Sequence, residues 1–486
     1  MTNMIETGAL IVGGGPAGLA PLLAASYLDL LPRLLSDGLV IAEGGGHIGA
    51  GGIGRYIINS DSSAITFLSC VVDNPDPRLA AVAKHPAALA IAGCGRGAVP
   101  LALVGALMEQ VGQALDTVVR DAPHGTVMTH HTALHTQRRA DGRWSTRLRS
   151  TATGQDTEIV SASVVLACGG HQPDLRLENE LVAGGSLLPD YGAKLIQSDV
   201  ALTAAGLTDI RRRLAGVADP RIVVIGGSTS AVATVRLLLE SLGSQLQAGA
   251  ITLMHRRTLT LFYPSADAAR EDGYLAFGPD DLCPVSGFVF RFGGLRFDSR
   301  DLVMQLLGVG GQPAEPRVTL HRLAGDPDQD GIAFDPAESR RVLDEADVVI
   351  SCLGYRPRAL PVLDMDGTVI PLLADQPGGA LVNPQCGVVD AHGREIAGLL
   401  GIGLAAGFTP HGSMGGEPSF RGQANGLWLW QNDVGALVSR RILDRAVSIR
   451  SATELHAETG TSLKRPPVAP ITMWSNSEYQ PLAVEA

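Results

Sequence analysis

Two glycine-rich segments carry residue types suited to phosphate chemistry. Gly13-Gly14-Gly15-Pro16-Ala17-Gly18 places glycine at its first, third and sixth positions. The first of these allows a tight turn, the second removes a side chain where backbone meets a pyrophosphate, and the third lets a helix pack closely on a strand. The helix that follows would aim its unpaired N–H groups at the phosphates. Glu43 stands 25 residues after Gly18 and would accept hydrogen bonds from a ribose diol. The second segment, Gly226-Gly227-Ser228-Thr229-Ser230-Ala231, has Ser228 in the middle slot and Ala231, an accepted replacement, in the last. Thr229 and Ser230 complete that loop. It leads not to an acid but to His255-Arg256-Arg257. Arginines bind a 2′-phosphate through paired, charge-assisted bonds, whereas an acid repels it. The first site therefore suits FAD and the second NADPH, with hydride passing between them across a cleft.

The elements that must position these loops recur. Ala9–Val12 reads as a buried strand, the residues from Leu19 to Leu35 as an apolar helix, and Leu39–Ala42 as a second strand. Arg221–Ile225, a helix from Ala231 to Leu242, and Ile251–Arg257 repeat that order. Meander strands follow each unit: Thr126–Thr136, Arg143–Ser150 and Glu158–Leu166 after the first, Arg317–Leu323 and Gly331–Phe334 after the second. Both series end in apolar strands that break at glycine, in Ala167-Cys168-Gly169-Gly170 and Ser351-Cys352-Leu353-Gly354-Tyr355. Ile396–Leu404 reads as a returning strand and Arg421–Ile449 as helix. The expected fold is α/β, with two Rossmann-like dinucleotide-binding domains and the NADPH domain inserted into the FAD domain. The expected boundaries are 1–215 and 347–450 for the FAD domain, 216–346 for the NADPH domain, and 451–486 for a C-terminal arm.

The 486 residues are 45% hydrophobic and carry a net charge of −11. A large core is within reach, and nucleic acid or an anionic membrane surface is a poor partner. No two of the six cysteines form a C-x-x-C pair, so a dithiol centre or zinc ribbon lacks support and no metal is expected. The first fifteen residues hold no basic region followed by an apolar stretch and cleavage site, so no secretory leader is expected, and no apolar run is long enough to span a bilayer. A cytoplasmic enzyme is the expectation, with a homo-oligomer left open.

Between Gly44 and Tyr56 stand seven glycines in thirteen residues, Gly51 and Gly52 among them. A backbone so stripped must pass close to something flat or to another backbone. Arg55, Tyr56 and Asp61 follow and are candidates to face a substrate, a surface ion pair being the competing reading for Arg55 and Asp61. His411, ahead of Gly412, is a candidate to touch a flavin. The stretch Phe288–Arg296 concentrates aromatic residues in a chain that is 4% aromatic. Core packing of the inserted domain accounts for it best.

These segments together resemble the two-dinucleotide-binding-domain flavoproteins. Without a redox cysteine pair the resemblance leans to the class B and N-hydroxylating monooxygenases. The glycine-broken strands at Gly169 and Gly354 look like that family's linkers, and Thr409-Pro410-His411-Gly412 is similar to the Thr-His-Gly after its last flavin-domain strand, with Gly403 just before it. The resemblance implies that the glycine-rich stretch lies along the isoalloxazine. It also implies NADPH-dependent reduction of FAD, and O₂ activation as a C4a-hydroperoxide that oxygenates a small molecule, an amine nitrogen above all. Met414-Gly415-Gly416 replaces the family's usual leucine pair, and the asparagine-rich substrate clamp is not recognisable between Thr258 and Gly311. Two alternatives stay open: an NAD(P)H:acceptor reductase, and a flavoprotein sensor without turnover.

Overall fold

The computed structural model describes residues 3–323 and 335–459. Asn3–Val12 forms the centre of a nine-stranded sheet. It pairs in parallel with Leu39–Ala42 on one side and Asp156–Leu166 on the other, with Ile11 level with both Ile41 and Val165. All three of those residues are fully buried. Strands covered on both faces need continuous apolar runs, which is what Ala9–Val12 and Val164–Leu166 supply. Gly125–Met128 extends the sheet in parallel. His131–Arg138, Trp144–Ser150 and Asp156–Leu166 form the antiparallel meander. The expected strand over Thr126–Thr136 is thus two strands, divided at His130 with its φ of 58°. The returning strand Glu395–Gly401 joins Asp156–Leu166. The fully buried Trp144 donates its indole N–H to Ala397 O and ties the meander to that return.

The second sheet is wholly parallel, in the order Leu195–Gln197, Val348–Ser351, Ile222–Ile225, Ile251–His255, Val318–Arg322. This membership corrects the expected boundaries of 215/216 and 346/347. Leu195–Gln197 and Val348–Ser351 both lie outside 216–346 but belong to the inserted lobe. The chain crosses between lobes at two short strands, Gly170–His171 and Arg356–Pro357, which pair antiparallel with His171 level with Arg356.

The long first helix expected over Leu19–Leu35 is two, Pro16–Tyr27 and Leu31–Ser36, separated where Asp29 takes φ 55°. The C-terminal helix runs over Gly435–Thr459, so the expected arm begins inside a helix, and residues 421–426 lie outside it. Gly331–Phe334 falls outside the described residues. Among the described residues no helix is long and apolar enough to cross a membrane.

Candidate active site

Each glycine of the first loop has a distinct task. Gly13 takes φ 103°, and a Cβ there would lie 2.3 Å from Ala167 O. A Cβ on Gly18 would lie 1.9 Å from Gly13 O. Both are fixed by packing. Gly15 is not, because a Cβ there would meet only Gly51 Cα, at 3.6 Å. Packing does not demand a bare middle glycine, whereas a ligand pressed against the backbone does. The helix Pro16–Tyr27 starts without a side-chain cap or an acid in its first turn, so its leading N–H groups are available to an anion. Ala17 flanks this opening, and the space above it is limited by Gly403, whose Cβ would lie 2.9 Å from Ala17 Cβ. Glu43 is held at the strand end by Gly14 N and Gly45 N, each donating to its carboxylate at 2.7 Å. A diphosphate and ribose fit this arrangement.

The second loop repeats the geometry. Gly13 N donates to Ala42 O and Gly226 N to Met254 O, both at 2.8 Å. With Val12 level with Ala42 and Ile225 with Met254, His255 falls on the position of Glu43. Ser228 precedes the helix Thr229–Leu242 without capping it, so this helix start is also open to an anion. His255 is buried, with Nδ1 2.9 Å from Arg257 O, so that nitrogen carries the proton; burial lowers its pKa and keeps the ring neutral. Arg256 donates to Leu181 O at 2.6 Å and lies 3.4 Å from the Glu180 carboxylate. Arg257 is exposed. Arg322 is level with His255 on the next strand. The adenosine end of this loop is basic, as a 2′-phosphate requires.

The glycine-rich stretch after Glu43 divides its work. Gly49 and Gly54 pack against the helix Leu101–Arg120: a Cβ on Gly49 would lie 2.3 Å from Met108 O, and one on Gly105 2.5 Å from Gly54 Cα. Gly51 lies instead on the phosphate loop, 3.1 Å from Pro16 Cδ by the same measure, and Gly52 has only Arg55 within 4 Å. Part of the stretch therefore serves backbone packing, while Gly51, and Gly49 through its N–H donated to Gly14 O at 2.8 Å, lie beside the nucleotide loop. Gly169, Gly354 and Gly412 all take positive φ; no protein atom closes on a Cβ of Gly169 or Gly412.

Arg55 and Tyr56 come together, with Arg55 donating to Tyr56 Oη at 2.9 Å. Tyr56 Oη in turn meets Tyr355 Oη at 3.0 Å, and Arg55 lies 3.7 Å from Asp199. Burial, then the bond with Tyr56, raises the Tyr355 phenol and keeps it protonated. His411 stands by itself among the three candidates: it is exposed, with Nδ1 3.4 Å from Thr409 O and its ring beside Phe408. Asp61 does not face an open site. Its carboxylate accepts the Thr229 hydroxyl at 2.9 Å.

Four residues at the lobe boundary escaped the sequence reading: Asp199, Tyr355, Cys283 and Glu417. The buried Glu417 carboxylate accepts Phe292 N at 3.0 Å and Gly293 N at 2.7 Å, clasping the inserted lobe. Its signal was a lone acid in the run Met414-Gly415-Gly416-Glu417-Pro418. Cys283 accepts from Gly416 N at 3.2 Å; burial raises its thiol, but Ser286, Gly416 and Arg291 together bring it down to about 7. Of the aromatic stretch, Val289 and Phe290 are buried in the core of the inserted lobe, while the half-buried Phe292 packs beside Phe420 against the core of the other lobe.

No protein-family model matches the chain. It is 30% identical over 456 residues to the CMP-5′-(3-aminopropyl)phosphonate hydroxylase of Streptomyces rubellomurinus, covering 90% of this chain and 98% of that one. The fold is that of the ornithine hydroxylase from Pseudomonas aeruginosa, with TM-score 0.50, 13% identity, and 91% and 100% of the two chains covered. The ornithine N-hydroxylase of Kutzneria sp. 744 superposes with TM-score 0.49 at 14% identity, over 90% and 99%. The chain belongs to the family of the Streptomyces hydroxylase, and its fold is that of the two-dinucleotide-binding-domain flavoproteins.

Proposed function

We propose that this enzyme N-hydroxylates a primary amine borne on a nucleotide-linked phosphonate. The observation that carries the reading is the 30% identity over nearly the whole length of a hydroxylase whose substrate is of that kind. The paired loops support it, with Glu43 in register with the neutral His255 and the two arginines Arg256 and Arg257 directly after it. Bound FAD and NADPH supply two electrons and, with O₂, the oxygen atom.

The chain's own residues then bind and orient. Gly13, Gly15, Pro16, Ala17 and Gly18 seat the flavin diphosphate and Glu43 its ribose. Gly51, Gly52, Gly169, Gly354, Gly403 and Gly412 let backbone run close to the ring system, with His411 at its edge. Gly226, Ser228, Thr229 and Ser230 seat the second diphosphate, while Arg256 and Arg257 hold the 2′-phosphate. Arg55, steadied by Tyr56 and Asp199, retains donors for a phosphonate oxygen. Its charge also disfavours protonation of a nearby amine, and only the neutral amine has a lone pair to offer.

The test incubates the purified holoenzyme with NADPH, O₂ and CMP-5′-(3-aminopropyl)phosphonate, with ornithine and lysine in parallel. The expected result is an amine product heavier by one oxygen atom from the nucleotide-linked substrate, with none from the free amino acids. Equal NADPH consumption with and without every amine, and no oxygenated product, would overturn the reading.

A further inference from the structure

Asp61 is a half-buried acid that the reaction does not use. It lies on the strand Asn59–Ser63 of the first lobe, yet its carboxylate bonds to the second. The Thr229 hydroxyl donates to it, and Thr229 is the first residue of the helix whose start seats the NADPH diphosphate. Ser299, at the start of the helix Phe297–Leu307, also bonds to it, and the half-buried Arg296 lies alongside. Arg296 is shared, since it donates to Arg291 O, stacks 4.1 Å over the Phe262 ring and also feels Glu417. The other charged groups at this contact are already matched. Asn59 and Arg236 both engage Asp298.

A carboxylate on the first turn of that helix occupies the favourable end of its dipole. A diphosphate brought to the same turn carries the same sign into the same poorly solvated place. Two like charges there cannot both be accommodated, and the weaker acid yields by taking a proton. We propose that NADPH binding breaks the Thr229–Asp61 hydrogen bond and leaves Asp61 protonated, so that the cosubstrate enters together with one proton. The proton comes from solvent and is held on a carboxylate oxygen; no other bond changes. The inference rests on the reading of the second loop as the NADPH diphosphate site.

Burial already raises this carboxyl to about 6, against the bonds from Thr229 and Ser299 and the charge of Arg296. In the free enzyme at neutral pH it is mostly ionised, so uptake on binding is close to a full proton. Titration calorimetry of the FAD-loaded enzyme with NADP⁺ at pH 7.5, in two buffers of different ionisation enthalpy, measures this directly. The expected result is close to one proton taken up per NADP⁺ bound. The dissociation constant should rise by about tenfold between pH 7 and pH 8, a window above the second ionisation of the 2′-phosphate, near 6. Cys283 titrates in the same window, so Asp61→Asn, which leaves it in place, is the control. In that variant both the uptake and the Asp61 share of the slope disappear, and NADP⁺ binds more tightly at pH 8 than in the wild type. Asp61→Ser serves if the asparagine variant loses its flavin. Saturable binding with no proton uptake in the wild type overturns the proposal by itself, as does an unchanged slope in a folded neutral variant. Absence of any saturable binding would bring down the NADPH reading of the loop and this inference with it.

Discussion

In the first nucleotide loop the helix comes so close to the strand that a methyl group on Gly18 would sit 1.9 Å from Gly13 O. In the second the equivalent residue is Ala231, fully buried and packed into the core, and the nearest threat to Gly226 is Cys352 O at 2.7 Å. The two loops share register and hydrogen bonding but not clearance. The first loop is closed at both Gly13 and Gly18 by backbone oxygens, which have little room to relax. The second is closed by a backbone oxygen at Gly226 only; its last slot is filled by the Ala231 side chain, and Thr229 at its helix start is tied to the other lobe through Asp61. The first loop therefore tolerates less change than the second.

The contrast breaks most sharply at Gly18. Gly18→Ala should abolish flavin retention and cost more than about 3 kcal/mol of stability, read as colourless protein with a lowered unfolding midpoint. Ala231→Gly should cost only about 1 kcal/mol and leave NADPH binding intact. Equal effects at the two positions would erase the difference in clearance. Reversing the basic end, with Arg256→Glu and Arg257→Glu together, should lower kcat/KM for NADPH by roughly 100-fold or more and leave FAD content unchanged. Steady-state kinetics with NADPH and NADH side by side would show it.

Stability should also carry the mark of the contact between lobes. The Asp61 carboxyl titrates near 3.9 in an unfolded chain and at about 6 in the folded one. The folded state holds the proton more tightly, so this residue's contribution is complete below about pH 4 and is lost as pH rises through about 6. Urea unfolding at pH 4 to 7 should find the wild type falling against Asp61→Asn by up to roughly 3 kcal/mol over that range. A constant difference would mean that the carboxyl is not desolvated. The smallest effect belongs to Tyr355→Phe, which removes one hydrogen bond to Tyr56 and should lower stability by about 1 kcal/mol, with the NADP⁺ dissociation constant nearly unchanged.

The paired loops were readable because glycine sterics act locally. Gly13, Gly18 and Gly226 are required by neighbours a few residues away or on an adjoining strand, and the apolar runs beside them mark the strands. The lobe boundary was not readable. Leu195–Gln197 is three residues long, too short to show a period, and its partner Val348–Ser351 lies far along the chain, at the other end of the inserted lobe. The glycines after Glu43 were legible as a close approach but not as to what: Gly49 and Gly54 meet a helix, while Gly51 meets the phosphate loop. Asp61, Tyr355 and Glu417 find their partners across the boundary between lobes, and nothing in their local sequence names Thr229, Tyr56 or Phe292.

The antiparallel pairing of His171 with Arg356 has a mechanical consequence. The outgoing and returning crossings form one ribbon, so the two covalent links to the inserted lobe run as a pair rather than as independent tethers. Sliding one crossing past the other would cost its ladder bonds. A substitution that stiffens either crossing therefore stiffens both.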